Sequence, residues 1–194
     1  SVTFASIPQT GYTDLKVVVR ARGTTNGGAL FARFNSSSTG YSTKQLFGDG
    51  ASTGSGAGGG GTSYVDCGIM GQSTDTANTF SNQEIYIPNY TSSNNKSVSV
   101  DSVNENNATG AYAILNAVLW SNSAAITSVT FTPQNGPSFV ANSTFSLYGL
   151  AALGTTPVIA PKASGGNIID FDGTYWIHTF LTSGTFTPST GLSC

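Results

Sequence analysis

The sequence predicts an all-β protein: an antiparallel β-sandwich, jelly-roll-like or concanavalin-like, with a small C-terminal β-hairpin extension. Three observations predict it. Segment after segment alternates apolar and polar residues with a period of two, and Gly, Pro, Asn and Ser mark turns between them, at intervals of roughly 10–15 residues. Ser and Thr make up 52 of the 194 residues; they suit exposed strand faces and turns and are poor helix material. Only 8% of residues are charged, against roughly 25% in an ordinary domain, so the Lys and Glu that solvate helix faces are nearly absent. Composition changes after residue 150, which divides the chain into a sandwich at 1–150, a linker at 151–165 and a hairpin extension at 166–194.

In order, residues 1–5 are a short strand and Ile7-Pro8-Gln9-Thr10-Gly11 a turn. Residues 12–22 hold the clearest alternation, with Leu15, Val17, Val19 and Ala21 on one face and Lys16, Val18, Arg20 and Arg22 on the other. Asn26-Gly27-Gly28 is a hairpin-type turn. Strands follow at 29–35 and 41–47. Residues 48–61, with the run of four glycines at 58–61, read as one long loop. It lacks the Lys-Ser/Thr and the helix that a phosphate cradle needs. Strands are expected at 62–70 and 79–87, the latter stopped by Pro88, which cannot donate to a ladder. Residues 96–104 set Val98, Val100 and Val103 among serines. Residues 111–120 are apolar on both faces and read as a central strand covered on both sides, although their Ala content also fits a helix. Strands at 126–133 and 142–150 complete the sandwich; in the last, Phe145 and Leu147 oppose Thr144, Ser146 and Tyr148. In the extension, Asp172-Gly173 and Ser183-Gly184 are hairpin signals around 175–180. Two or three short strands do not stand alone in water, so this piece needs a partner, and the chain is expected to be truncated at both ends.

No constellation of catalytic residues is evident, and no enzyme activity, metal or cofactor is expected. Glu84 and Glu105 are the only glutamates and show no spacing that suggests a glycosidase pair. His178 is the only histidine and reads as a strand residue between aromatics. Cys67 and Cys194 are too few for a disulfide framework; two unpaired thiols are expected rather than a bridge. The net charge is −2 without a basic cluster, which argues against nucleic acid and anionic membranes. Arg20, Arg22 and Arg33 read as solvent-face or inter-strand partners. No apolar run approaches the ~20 residues of a membrane span. Tyr41, Tyr64, Tyr90, Tyr112 and Trp120 are candidate platforms for stacking on a glycan, with a place in the core as the alternative for each.

Several stretches resemble a family of virion structural proteins of tailed bacteriophages. They are Phe4-Ala5-Ser6-Ile7-Pro8-Gln9-Thr10 with Tyr12-Thr13-Asp14-Leu15, then Ile85-Tyr86-Ile87-Pro88-Asn89-Tyr90, then Phe139 with Asn142-Ser143-Thr144-Phe145-Ser146-Leu147-Tyr148-Gly149. Residues 173–180 with Ser183-Gly184-Thr185-Phe186-Thr187 are similar to the lead-in to a glycine-rich tip domain of phage tail fibres. The resemblance implies a β-sandwich module of a tail fibre or surface appendage. It also implies a homo-oligomer (a trimer is favoured), contact with other virion proteins, a role in host attachment through a host surface glycan, and a place on the virion. A capsid decoration protein and a carbohydrate-binding module are the alternatives.

Overall fold

The computed structural model describes residues 1–26, 28–107, 111–134, 138–151, 163–171 and 175–188. It divides into two compact units, Ser1–Gly154 and Thr155–Cys194. The first is an antiparallel β-sandwich. Its strands are β1 (Val2–Phe4), β2 (Asp14–Ala21), β3 (Ala29–Phe34), β4 (Tyr41–Gly48), β5 (Thr53–Gly56), β6 (Val65–Ile69), β7 (Ser81–Ile87), β8 (Lys96–Asn104), β9 (Tyr112–Trp120), β10 (Val129–Pro133) and β11 (Thr144–Leu150). A four-stranded sheet runs β1-β10-β3-β6 and a seven-stranded sheet β11-β2-β7-β8-β9-β4-β5. Among the described residues there is no helix, so none long and apolar enough to cross a membrane.

Alternation decides which side chains meet between the sheets. Leu15, Val17 and Val19 of β2, Ile85 and Ile87 of β7, Val98 and Val100 of β8, and Val118 and Trp120 of β9 point inward. They meet Leu30, Ala32 and Phe34 of β3, Val65 and Cys67 of β6, and Val129 and Phe131 of β10. Phe145 of β11 packs on Phe131 at 5.4 Å and on Phe139 at 4.8 Å between ring centroids. This closes the core at the β11 edge, where β11 pairs with β2 from Thr144↔Arg20 to Leu150↔Asp14.

Three expectations change in this unit. Residues 48–61 are not all loop. The Asp49 carboxylate accepts from Ala51 N (2.9 Å) and Ser52 N (2.6 Å), and Gly50 has φ +86°. This tight turn lets β5 fold back on β4, a strand hidden in sequence by its glycines and hydroxyls. The glycine run that follows is packed. Asp66, buried in β6, accepts from Gly59 N and, at 2.9 Å, from Gly68 N, and a Cβ on Gly60 would lie 2.8 Å from the Tyr64 carbonyl. Residues 112–120 form a strand, not a helix, central between β8 and β4, but it is covered on one face only. Arg22 is not a solvent-face residue. Past the end of β2 it is buried, and its guanidinium donates to the carbonyls of Thr76, Thr79 and Asp75 at 2.9 Å and of Ser73 at 3.3 Å. It thereby holds the loop before β7. Arg20 instead lies over the Phe80 ring at 3.8 Å and Arg33 over Tyr64 at 4.2 Å.

In the second unit, β12 (Ala163–Ser164) pairs with β15 (Thr187–Pro188), and β13 (Ile168–Phe171) pairs with β14 (Trp176–Thr179). The step at Ser183-Gly184 is therefore not a hairpin, because β14 and β15 take different partners. Gly27, Asp172-Gly173, most of the 151–165 linker and Cys194 lie outside the described residues.

Candidate functional site

The seven-stranded sheet has a second face. Directly paired residues of antiparallel strands share a face, so the register spells out its rows. One row reads Tyr148, Lys16, Tyr86, Ser99, Ala117 and Lys44 from β11 to β4. The next reads Ser146, Val18, Glu84, Asp101, Leu115, Leu46 and Ser55, and reaches β5. A third reads Thr144, Arg20, Asn82, Val103, Ala113, Gly48 and Thr53. Among the described residues of the sandwich nothing covers these rows: Leu46 is 61% exposed, Leu115 56% and Tyr148 55%.

The middle of the sheet is hollow because its central residues are small. Ser99 and Ala117 lie between Tyr86 on one side and Lys44 on the other. A groove of about 1020 Å³ occupies this space, bordered by Lys16, Glu84, Tyr86, Asp101, Leu115 and Leu46. A second hollow of about 770 Å³ shares Leu46, Ser55, Asp101 and Leu115 with it. A third of about 170 Å³ shares Lys44 and Ala117 and adds Ser42, Ser97 and Leu119. The three are continuous along β9.

Three polar side chains of this trough, Lys16, Glu84 and Tyr86, are held by partners. Lys16 Nζ pairs with Glu84 Oε2 at 2.7 Å. The Tyr86 hydroxyl donates to Asp14 Oδ2, while Asp14 Oδ1 accepts from Asn89 N at 2.8 Å, so the ring is anchored at its far end. That hydrogen bond to Asp14 holds the Tyr86 phenol above its ordinary value. Glu84 and Asp101 stand directly opposite each other on β7 and β8, an arrangement that on its own destabilises a sheet and that Lys16 relieves.

The glycan-stacking candidates lie elsewhere. Tyr41, Tyr90 and Trp120 are buried in the core and present no ring to a ligand. Tyr41 stacks on Trp120 (6.1 Å, 16°), and its hydroxyl accepts from Phe34 N at 2.9 Å. Tyr90 donates its hydroxyl to the Pro8 carbonyl. The period of two explains the correction, because Tyr41 shares a face with buried Thr43, and Trp120 with buried Val118. Tyr112, half-buried, also has the inward parity. Tyr64 is half-buried, stacked on Phe31 (4.8 Å, 19°) beneath Arg33. Phe47 lines the second hollow, and the tyrosine that borders the trough is Tyr86. The signal for it was in the sequence: alternation sets Asn82, Glu84 and Tyr86 against Ser81, Gln83, Ile85 and Ile87, and the latter four are buried.

Of the other candidates, Glu84 borders the trough, while Glu105 lies past the end of β8, where its carboxylate accepts from Asn107 N at 2.7 Å. His178 is in the second unit. Its Nδ1 is 2.6 Å from the Gly165 carbonyl, and its ring meets Phe186 edge-on at 5.2 Å. Cys67 is a buried free thiol, and burial, with Asp66 beside it, pushes its pKa well up. Among the described residues no three of His, Cys, Asp and Glu converge in a metal-binding group. Comparison with protein-family models, with curated proteins and with solved structures finds no match.

Proposed function

We propose that the chain is a non-enzymatic structural module of a bacteriophage virion, carried on a tail fibre or similar surface appendage and engaged in host attachment. The observation that carries this reading is the uncovered trough on the seven-stranded sheet, a contact surface on a rigid sandwich. Contiguous exposed apolar surface rimmed by polar residues is characteristic of an interaction site. The stretches that resemble phage virion proteins support the setting, and one of them, residues 85–90, includes Tyr86. The second unit supports assembly. Its two-stranded pieces expose Ile168, Ile169 and Ile177, and the segment between β14 and β15 exposes Leu181 and Phe186; isolated hairpins are marginal in water. A homo-oligomer, a trimer in this reading, or a neighbouring virion protein covers them.

A cryo-EM map of the intact particle tests the reading. A few copies at the tail or an appendage are expected. High-copy sites on the capsid favour a decoration protein instead, and a particle without the chain contradicts the proposal.

A further inference from the structure

We propose that the trough on the outer face of the seven-stranded sheet binds an extended neutral polysaccharide, lying along β8 and β9 between Tyr86 and Lys44 with one sugar against Tyr86. The proposal rests on the reading of this face as the contact surface and names what it contacts.

The shape calls for a polymer. Three hollows that share residues in succession follow β9 from Leu119 to Ala113, about 20 Å at the rise of a strand. Across the trough, Tyr86 and Lys44 are three strands apart, roughly 14 Å, with only Ser99 and Ala117 between them. A ribbon-like chain fits such a bed.

The chemistry calls for sugar. A pyranose chain presents apolar C–H faces and hydroxyl edges, each hydroxyl both donor and acceptor. The trough offers the same mixture: Tyr86, Leu115 and Leu46 as apolar surface, and Ser99, Asp101 and Lys44 as hydrogen-bonding groups. Its charges balance, with Lys16 and Lys44 against Glu84 and Asp101, so it attracts neither a polyanion nor a polycation. Tyr86 is anchored through Asp14 before any ligand arrives, which lowers the entropy lost on binding.

Two other occupants fit less well. An extended peptide is held through its main chain at a sheet edge, whereas the floor of the trough is β8 and β9, whose backbones are paired on both sides, and the edge strand it reaches, β5, is only four residues long. A second copy docking in isologous fashion would bring the same hollow face to face with itself and leave the space unfilled.

The test uses the full 194-residue chain and a panel of neutral hexaoses of glucose, galactose and mannose, titrated by calorimetry. At least one is expected to bind with Kd at or below about 1 mM. Tyr86→Ala should weaken it about tenfold, the scale of a single lost stacking contact. Ala117→Trp, which fills the floor from an exposed position, should abolish binding with an unchanged melting curve. The proposal is overturned if no neutral hexaose binds, if both variants bind like the parent, or if an acidic polymer such as polygalacturonate binds while the neutral series does not. It is also overturned if sedimentation shows a dimer that Ala117→Trp dissolves. These outcomes leave the virion reading to its own test, since a chain that sits on the tail and binds no hexaose refutes the ligand and not the setting.

Discussion

Strand β9 turns Ile114, Asn116, Val118 and Trp120 to one side and Ala113, Leu115, Ala117 and Leu119 to the other. The first set is buried, and the second is exposed, Leu115 at 56%. Both sets are mostly apolar, so hydrophobicity does not separate the two faces of the seven-stranded sheet. What separates them is what lies opposite and how the side chains are graded. Inward, large and branched residues interlock with the four-stranded sheet, and the one polar member, Asn116, donates to the Asp66 carbonyl at 2.9 Å. Outward, alanine alternates with leucine, which leaves a corrugated, exposed bed. One face holds the fold together, and the other is left open.

Substitutions on the two faces are expected to separate sharply. The largest effect is expected at the inward end of β9. Trp120 packs on Tyr41 and Phe34, and Trp120→Ala should cost about 3–5 kcal/mol in urea denaturation, the range for a buried aromatic. Next is Gly68 in β6, whose backbone lies close to Ser102 of β8. It has φ +81°, and an added Cβ would fall 2.3 Å from Ser102 Oγ. Gly68→Ala should cost at least the ~1–2 kcal/mol of left-handed backbone, seen as a lowered denaturation midpoint.

A third test uses pH. Burial raises the phenols of both Tyr41 and Tyr90 above the ordinary value of 10.0. Between the unfolded and folded values the native state keeps protons that the unfolded state has lost. The stability these phenols contribute is therefore complete below about pH 10 and is lost as pH rises through the folded values. Thermal melts should shift downward from about pH 10, and the shift should shrink in Tyr41→Phe. The smallest effect is expected on the open face. Leu115→Ser should change stability by no more than about 0.5 kcal/mol, and a large loss there would mean that the outer face carries the fold.

Local pattern made most of the strands legible in the sequence. Residues 96–104 match the extent of β8, with Val98 and Val100 buried but Val103 on the exposed face, and the Leu15, Val17, Val19 and Ala21 row matches the buried side of β2, where a strict period of two has one structural meaning. Three things were not legible. β5 is too rich in glycine to show a pattern, and its existence depends on the Asp49 turn. The outward leucines and alanines of β9 look the same in sequence whether or not another layer covers them. Sheet order decides which residues share a row, and order is a property of the whole fold; no local signal places Lys16, Tyr86, Ser99 and Ala117 side by side. Tyr86 could have been found by parity. The buried tyrosines misled because an aromatic ring serves a core and a glycan equally well, and only parity and burial distinguish the two uses.

The most direct measurement of the contrast between faces is thiol labelling of a Leu115→Cys chain in native buffer, with the label located by peptide mass mapping. Cys67, on the inward side of β6, is buried with its thiol pushed up and serves as the internal reference. The new thiol at position 115 should react at the rate of a free exposed cysteine while Cys67 stays unlabelled until the chain is unfolded. Protection at position 115 equal to that of Cys67 would show that the outer face of the sheet is covered, and the trough would not be open to any ligand.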